Sequence, residues 1–216
     1  MKKKIILSSI MTIALCLCII TGSTFALFTS GDEINIAVTA GKVALSAKIT
    51  GMRVYTSFEK PYVDIERYVD ETDPFVFENG GTAKYDVTEN KLTLTNVTPG
   101  DAVDLVITMD NDSNVAIKYL VVCTITSKDT EYPLSEVLKI TVDGRAASGT
   151  GETVNSGWIE WAPSAGENTI DVSLTILLPA SVGNDYQEST ADISFAVYAV
   201  QGNVTDANAN EAFGLK

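Results

Sequence analysis

Asp110, Asp112 and Asn114 alternate in the stretch DNDSN, the spacing at which side-chain oxygens can ring a calcium ion. The rest of such a loop is missing: Val115 stands where the chain should turn on glycine, and Val121 where a bidentate glutamate should close the shell. A solvated turn fits better, because Asp and Asn cap turns without any metal. Asp101 and Asp104 offer a pair of acids, but hydrolysis by paired carboxylates needs a cleft, and nothing around them suggests one. Trp158 and Trp161 in SGWIEWAP, with Tyr62 and Tyr68, have the ring faces for a sugar platform, although burial in a core or between subunits is the commoner fate of such rings. There is no histidine in the 216 residues. That removes Ser-His-Asp and Cys-His catalysis, histidine-ligated zinc and the HExxH arrangement together. Cys16 and Cys18 lie in an N-terminal apolar run, which leaves Cys123 alone in YLVVCTIT. A core thiol is expected there, since an activated thiolate needs a neighbouring cation or histidine. The expectation from these residues is no catalytic set, no metal and no cofactor.

The elements around these residues begin with a leader. Lys2, Lys3 and Lys4 precede an apolar run from Ile5 to Ile20, and Thr24-Phe25-Ala26 places small residues at the positions a signal peptidase reads. Residues 1–26 read as a secretory signal, cut between Ala26 and Leu27. An uncleaved anchor is the alternative, because a span of about 20 apolar residues would cross a bilayer. The whole chain carries a net charge of −13, and losing the leader takes away three lysines and no acid. So acidic a surface repels nucleic acid and anionic lipid, so no nucleic-acid partner is expected and membrane contact is expected only through an uncleaved leader.

From Val43 onward the apolar residues recur with period two. They run Val43, Leu45, Ala47, Ile49; then Leu92, Leu94; Val103, Leu105, Ile107, Met109; Ile170, Val172, Leu174, Ile176, Leu178; and Ile193, Phe195, Val197, Ala199. Each set is a strand with one buried face. TPGD at 98–101 reads as a tight turn and DNDSN at 110–114 as a hairpin-type loop. Many strands, short turns and no alternation with helices predict an all-β fold, a two-sheet antiparallel sandwich of jelly-roll type over 41–201. One short helix is expected near PLSEVL, Pro133 to Leu138. Residues 52–90 read as an insertion or cap on the sandwich, and 202–216 as a flexible polar tail.

Three blocks carry a resemblance. The first is the head, TFALF followed by AGKVALSA. The second is LTLTNVTPGDAVDLVITMDNDSNVAIKYLV, with Pro99, Gly100, Asp101 and Asn111 in its turns. The third is LPASVGNDYQESTADISFAVYAVQ, with Asn184, Tyr186 and Gln187 before the last strand. In order and spacing they resemble the TasA/camelysin-type family, whose members are exported through a signal peptidase of SipW type. The resemblance implies a jelly-roll sandwich, a secreted protein at the cell surface or in the extracellular matrix, and assembly into biofilm-matrix fibres by donor-strand exchange. It also implies self as partner, head to tail, with or without an accessory assembly protein. Some relatives are classed as metallopeptidases, but this chain has no histidine and no zinc set, so that activity is not expected of it.

On that resemblance, residues 27–40 are a candidate donor arm, with Phe28, Ile34, Ile36 and Val38 as its apolar side chains. A loose strand seeks a partner, and a neighbour's sheet edge would supply main-chain hydrogen bonds along its length. The alternative is that the arm pairs with its own domain as a first strand. Of the function classes, a filament subunit is expected ahead of a monomeric surface adhesin using Trp158, Trp161 or the 52–90 segment.

Overall fold

The computed structural model describes residues 29–33, 38–40, 43–56, 63–64, 74–113, 115–162 and 168–215. The leader and its cleavage residues Ala26 and Leu27 lie outside them, as do Phe28, Ile34 and Ile36 of the arm. The described strands form two antiparallel sheets packed as a sandwich, the fold class that the alternation predicts. Numbered along the chain, the first sheet holds β1 (Thr29–Glu33), β5 (Phe75–Val76), β6 (Thr82–Asp86), β7 (Lys91–Val97), β9 (Ile117–Ser127), β12 (Ser148–Thr150), β13 (Thr153–Asn155), β14 (Ile159–Trp161) and β16 (Ser189–Gln201). The second holds β2 (Val38–Ala40), β3 (Val43–Tyr55), β4 (Val63–Asp64), β8 (Ala102–Asn111), β10 (Lys139–Val142), β11 (Arg145–Ala146) and β15 (Thr169–Leu177).

The inner faces are the expected alternating sets. Leu105, Ile107, Met109, Leu174 and Ile176 of the second sheet meet Tyr119, Val121, Ile125, Ile193 and Phe195 of the first, all in one buried cluster. β3 changes parity on the way. Its pairing with β8 slips by one residue between Ile49 and Gly51, so the buried positions run Val43, Leu45, Ile49 and then Met52, Val54. A β-bulge of this kind turns the later side chains back to the core. The segment from Met52 to Tyr55 is therefore the second half of a central strand rather than the start of an insertion, and β5 and β6 extend the first sheet. Of the expected 52–90 insertion, only residues lying outside the described set remain unassigned to the sandwich.

The turns on either side of β8 are corners between sheets. β7 belongs to the first sheet, β8 to the second and β9 to the first again. The DNDSN stretch is thus an arch that crosses the sandwich, not the hairpin its composition suggests. Thr98–Asp101 is the other crossing. Its main chain closes with Asp101 N–H donating to Thr98 O at 2.9 Å, and Gly100 takes φ +103°, a conformation open to glycine. Expected helix at Pro133 to Leu138 is a single 3-10 turn, Leu134–Glu136, which drops Leu134 into the core. The tail corrects a second expectation: α1 (Asp206–Phe213) is an α-helix, N-capped by the Thr205 hydroxyl and closed by Gly214 at φ +65°.

Leu105 lies fully buried between the sheets. Leu105→Ala is expected to cost about 2–5 kcal/mol in urea unfolding. Gly81 sits where a Cβ would stand 2.4 Å from Asn96 O. Gly81→Ala is expected to cost about 1–3 kcal/mol in the same measurement, although it adds only one methyl group.

Candidate functional site

β16 is thirteen residues long and pairs with β9 from Ala191 to Gln201 along one flank. Its other flank is shared. β7 covers it from Ser189 to Ser194, and β1 from Ala196 to Val200, with Glu33 opposite Ala196 and Thr29 opposite Val200. Phe195 falls between the two partners. Its carbonyl oxygen accepts a 2.8 Å bond from the Asn90 side-chain amide, which stands in for a strand partner at that group. Asn90 is 7% exposed and sits at φ +51°, in the left-handed region that asparagine tolerates best after glycine. Tyr85 holds it by donating its hydroxyl to Asn90 Oδ1 at 2.6 Å. The result is a slot five residues long, bounded by Asn90 at one end and filled by the first described strand of the chain.

α1 roofs this seam on the outer face of the sheet. It lies against β1. Its Phe213 ring stands 4.7 Å from that of Tyr198 and 6.2 Å from that of Trp158. Trp158 Nε1 donates to Asn210 Oδ1 at 2.8 Å, and Lys118 Nζ to Asp206 Oδ1 at 2.9 Å. Outer-face residues Leu120 and Val200 are 2% and 0% exposed, so this half of the face is covered rather than bare.

The arm accordingly pairs within its own domain: β1 on β16, and β2 with β3 through Val38 opposite Leu45. The segment on the slot is Thr-Ser-Gly-Asp-Glu, whereas the apolar alternation marks Ile34 to Val38 as the pairing strand. The signature residues turn out to be corner-builders. Asp101 is 3% exposed and accepts from Thr98 N (2.7 Å), Thr98 Oγ1 (3.0 Å) and Thr56 Oγ1 (2.5 Å). Pro99 and Gly100 complete that turn, and Gly100 N–H donates to Leu178 O at 2.7 Å. Asn111, wholly buried, accepts from the Ser113 main chain at 3.0 Å while its own main-chain N–H donates to Asn168 O. Asn184 and Tyr186 form a 3-10 turn on which Gln187 N–H closes at 3.0 Å, and Tyr186 meets Tyr132 edge to face at 5.7 Å.

Of the acids picked out from the sequence, Asp101, Asp104 and Asp110 are engaged within the sandwich. Asp104 is held by Arg53 (Nε 2.7 Å) and Thr175 Oγ1 (2.5 Å), and Asp110 accepts from Thr169 Oγ1 at 2.6 Å. Among the described residues no three of His, Cys, Asp and Glu converge as a metal set, and no helix is long and apolar enough to cross a membrane. Trp161 is buried at 9% exposure and Trp158 is engaged by α1, so neither lies flat on the surface as a platform. Cys123 lies in the core, where burial pushes its thiol up to about 12. Sequence reasoning missed Asn90 and α1. A left-handed asparagine leaves no compositional mark, and the only signal for α1 was Thr205 as an N-cap three residues before Asn208.

No protein-family model and no curated protein matches the chain. Among solved structures it is similar to a cyclase from Fischerella sp. TAU, at 9% identity and TM-score 0.30, over 82% of this chain and 100% of that one. It is also similar to HCR/D-Sa-GBL1/C, at 10% identity and TM-score 0.31, over 88% of this chain and 52% of that one. A third is TmCBM61 in complex with beta-1,4-galactotriose, at 9% identity and TM-score 0.25, over 70% and 86%. At these scores the likenesses carry no argument about what the chain does.

Asn90→Ala would leave the Phe195 carbonyl without its donor, and a loss of about 1–3 kcal/mol in urea unfolding is expected. Cys123 binds its proton more tightly folded than unfolded, so its contribution is intact below pH 9.0 and is lost as pH rises toward about 12. Stability measured across that window should fall, and Cys123→Val should make the fall shallower.

Proposed function

We propose that this chain is an exported structural protein, a subunit of an extracellular or biofilm-matrix filament that assembles by donor-strand exchange of its N-terminal arm. It works without catalysis, metal or cofactor. A signal peptidase of SipW type would release it between Ala26 and Leu27, and its partner is a second copy of itself, head to tail.

The observation that carries this reading is the shared flank of β16. Five residues of it, Ala196 to Val200, are satisfied by a strand from the chain's N-terminal arm, and by main-chain pairing in register. The same edge offers the same pairing to the arm of another copy. A strand exchanged in this way joins one subunit to the next without closing a ring, so the contact propagates. The blocks that resemble the TasA/camelysin-type family add the expectation that the exchange builds matrix fibres. The packing of Trp158 and Trp161 weighs against the adhesin reading, since both rings already have partners in the domain.

Electron microscopy of the mature chain, Leu27 to Lys216, beside a version beginning at Gly41 tests the reading. Filaments are expected from the first and monomers from the second. Filaments from both, or monomers from both at high concentration and at every salt, would overturn it. With so acidic a chain, screening should favour assembly, and filament yield is expected to rise between low salt and roughly 0.15 M, where the Debye length is about 8 Å.

A further inference from the structure

We infer that the C-terminal helix α1 is a clasp: it holds β1 in its own slot on β16 and must open before the strand can be exchanged with a second copy. The exchange itself rests on the function proposed above, but the clasp does not.

Three observations place the clasp over the seam. First, α1 packs on both sides of the joint, against β1 and, through Phe213, against Tyr198 of β16. Second, the register sets Gly31 of β1 directly opposite Tyr198. Register partners share a face of the sheet. At the point where the helix is fastened, the strand therefore presents no side chain of its own, and an aromatic ring beside a glycine supplies cover that the glycine lacks. Third, the helix is fastened to parts of the sheet that do not move with the arm. Asp206 is tied to Lys118 of β9, and Asn210 and Phe213 to Trp158, one residue before β14. These ties leave the arm underneath a roof anchored elsewhere.

The strand under the roof is a short one, in contact also with β2 and β3. It is five residues long and is paired through its main chain along β16. A short peripheral strand of this kind opens at the low end of a protein's range of local stabilities, so what covers it governs how often it leaves. Ala209, wholly buried in the middle of α1, shows that the helix is seated on the domain rather than projecting from it.

Hydrogen exchange of the mature chain, Leu27 to Lys216, tests the clasp without requiring a filament. Two variants are compared with it: Phe213→Ala, and a chain ending at Asn203 that lacks the helix. In both, the amides of 30–33 and of the facing 196–200 should exchange faster, by about tenfold for Phe213→Ala, the equivalent of one lost aromatic contact. Amides of β8 and β15, remote from the helix, should keep their protection. If the shorter chain fails to fold, Phe213→Ala still gives the answer. Faster exchange together with a shorter lag to filaments supports the clasp and the filament reading. Faster exchange with no filaments under any condition supports the clasp and removes the filament reading. Unchanged protection of 30–33 in folded Phe213→Ala overturns the clasp, whatever the filaments do.

Discussion

Main-chain polar groups on a strand inside a protein need partners, and β16 is where that requirement is hardest to meet. It is thirteen residues long with a full-length neighbour on one flank only. β7 runs out at Ser194, because the chain turns away at Asn90 to form β6. Each feature of this half of the sheet answers the shortfall. Asn90 meets the one carbonyl at the junction, β1 takes the five residues beyond it, and α1 covers the joint from outside. The cost of an orphaned buried peptide group is large enough that the N-terminal arm is drawn back onto the domain even though the residues it offers are mostly polar.

The two corners on either side of β8 have a different task, which is to carry the chain between sheets without exposing the core at the sandwich ends. A crossing of this kind leaves several main-chain groups with no ladder to join. Asp101 and Asn111 supply the acceptors that such turns need, each from a buried side chain pointing back at its own loop. Both residues thus serve folding rather than chemistry. On the outer face of the second sheet, Asp104 with Arg53 and Thr175, and Thr108 with Thr50 and Asp171, tie neighbouring strands in the same manner.

The alternating runs were legible because burial of one face forces period two, and apart from Leu178, one residue past β15, the named residues lie in strands whose matching face points to the core. What was not legible has definite causes. The bulge at Thr50 inverts the parity of β3, so Met52 and Val54 fall out of phase with Val43 and Leu45 and read as a new segment. DNDSN has the composition of a tight turn, and turn composition says nothing about which sheet the next strand joins. In the arm, period two marked Ile34 to Val38, yet pairing on β16 is made by the main chain, to which Thr29–Glu33 is as acceptable as any other stretch. The tail was misjudged because small polar residues make a poor helix alone. α1 is held by Tyr198 and, from much farther back in the chain, by Trp158 and Lys118, none of which belongs to the polar pattern that hides it.

β1, a strand of the first sheet, and α1, which packs against it, are the first and last described elements of the chain. The two ends of the described domain thus meet at one place, as the ends of domains often do. Anything fused directly after α1, whether an affinity tag, a fluorescent protein or a crosslinking label, is carried to the joint between β1 and β16 and crowds it. Residues for reporters are better sought in the exposed Gly151 turn, between β12 and β13 at the edge of the first sheet. A short linker from the end of α1 to the start of β1 would join the two, and new termini opened at the Gly151 turn would keep every strand of both sheets while removing the freedom of the arm to leave.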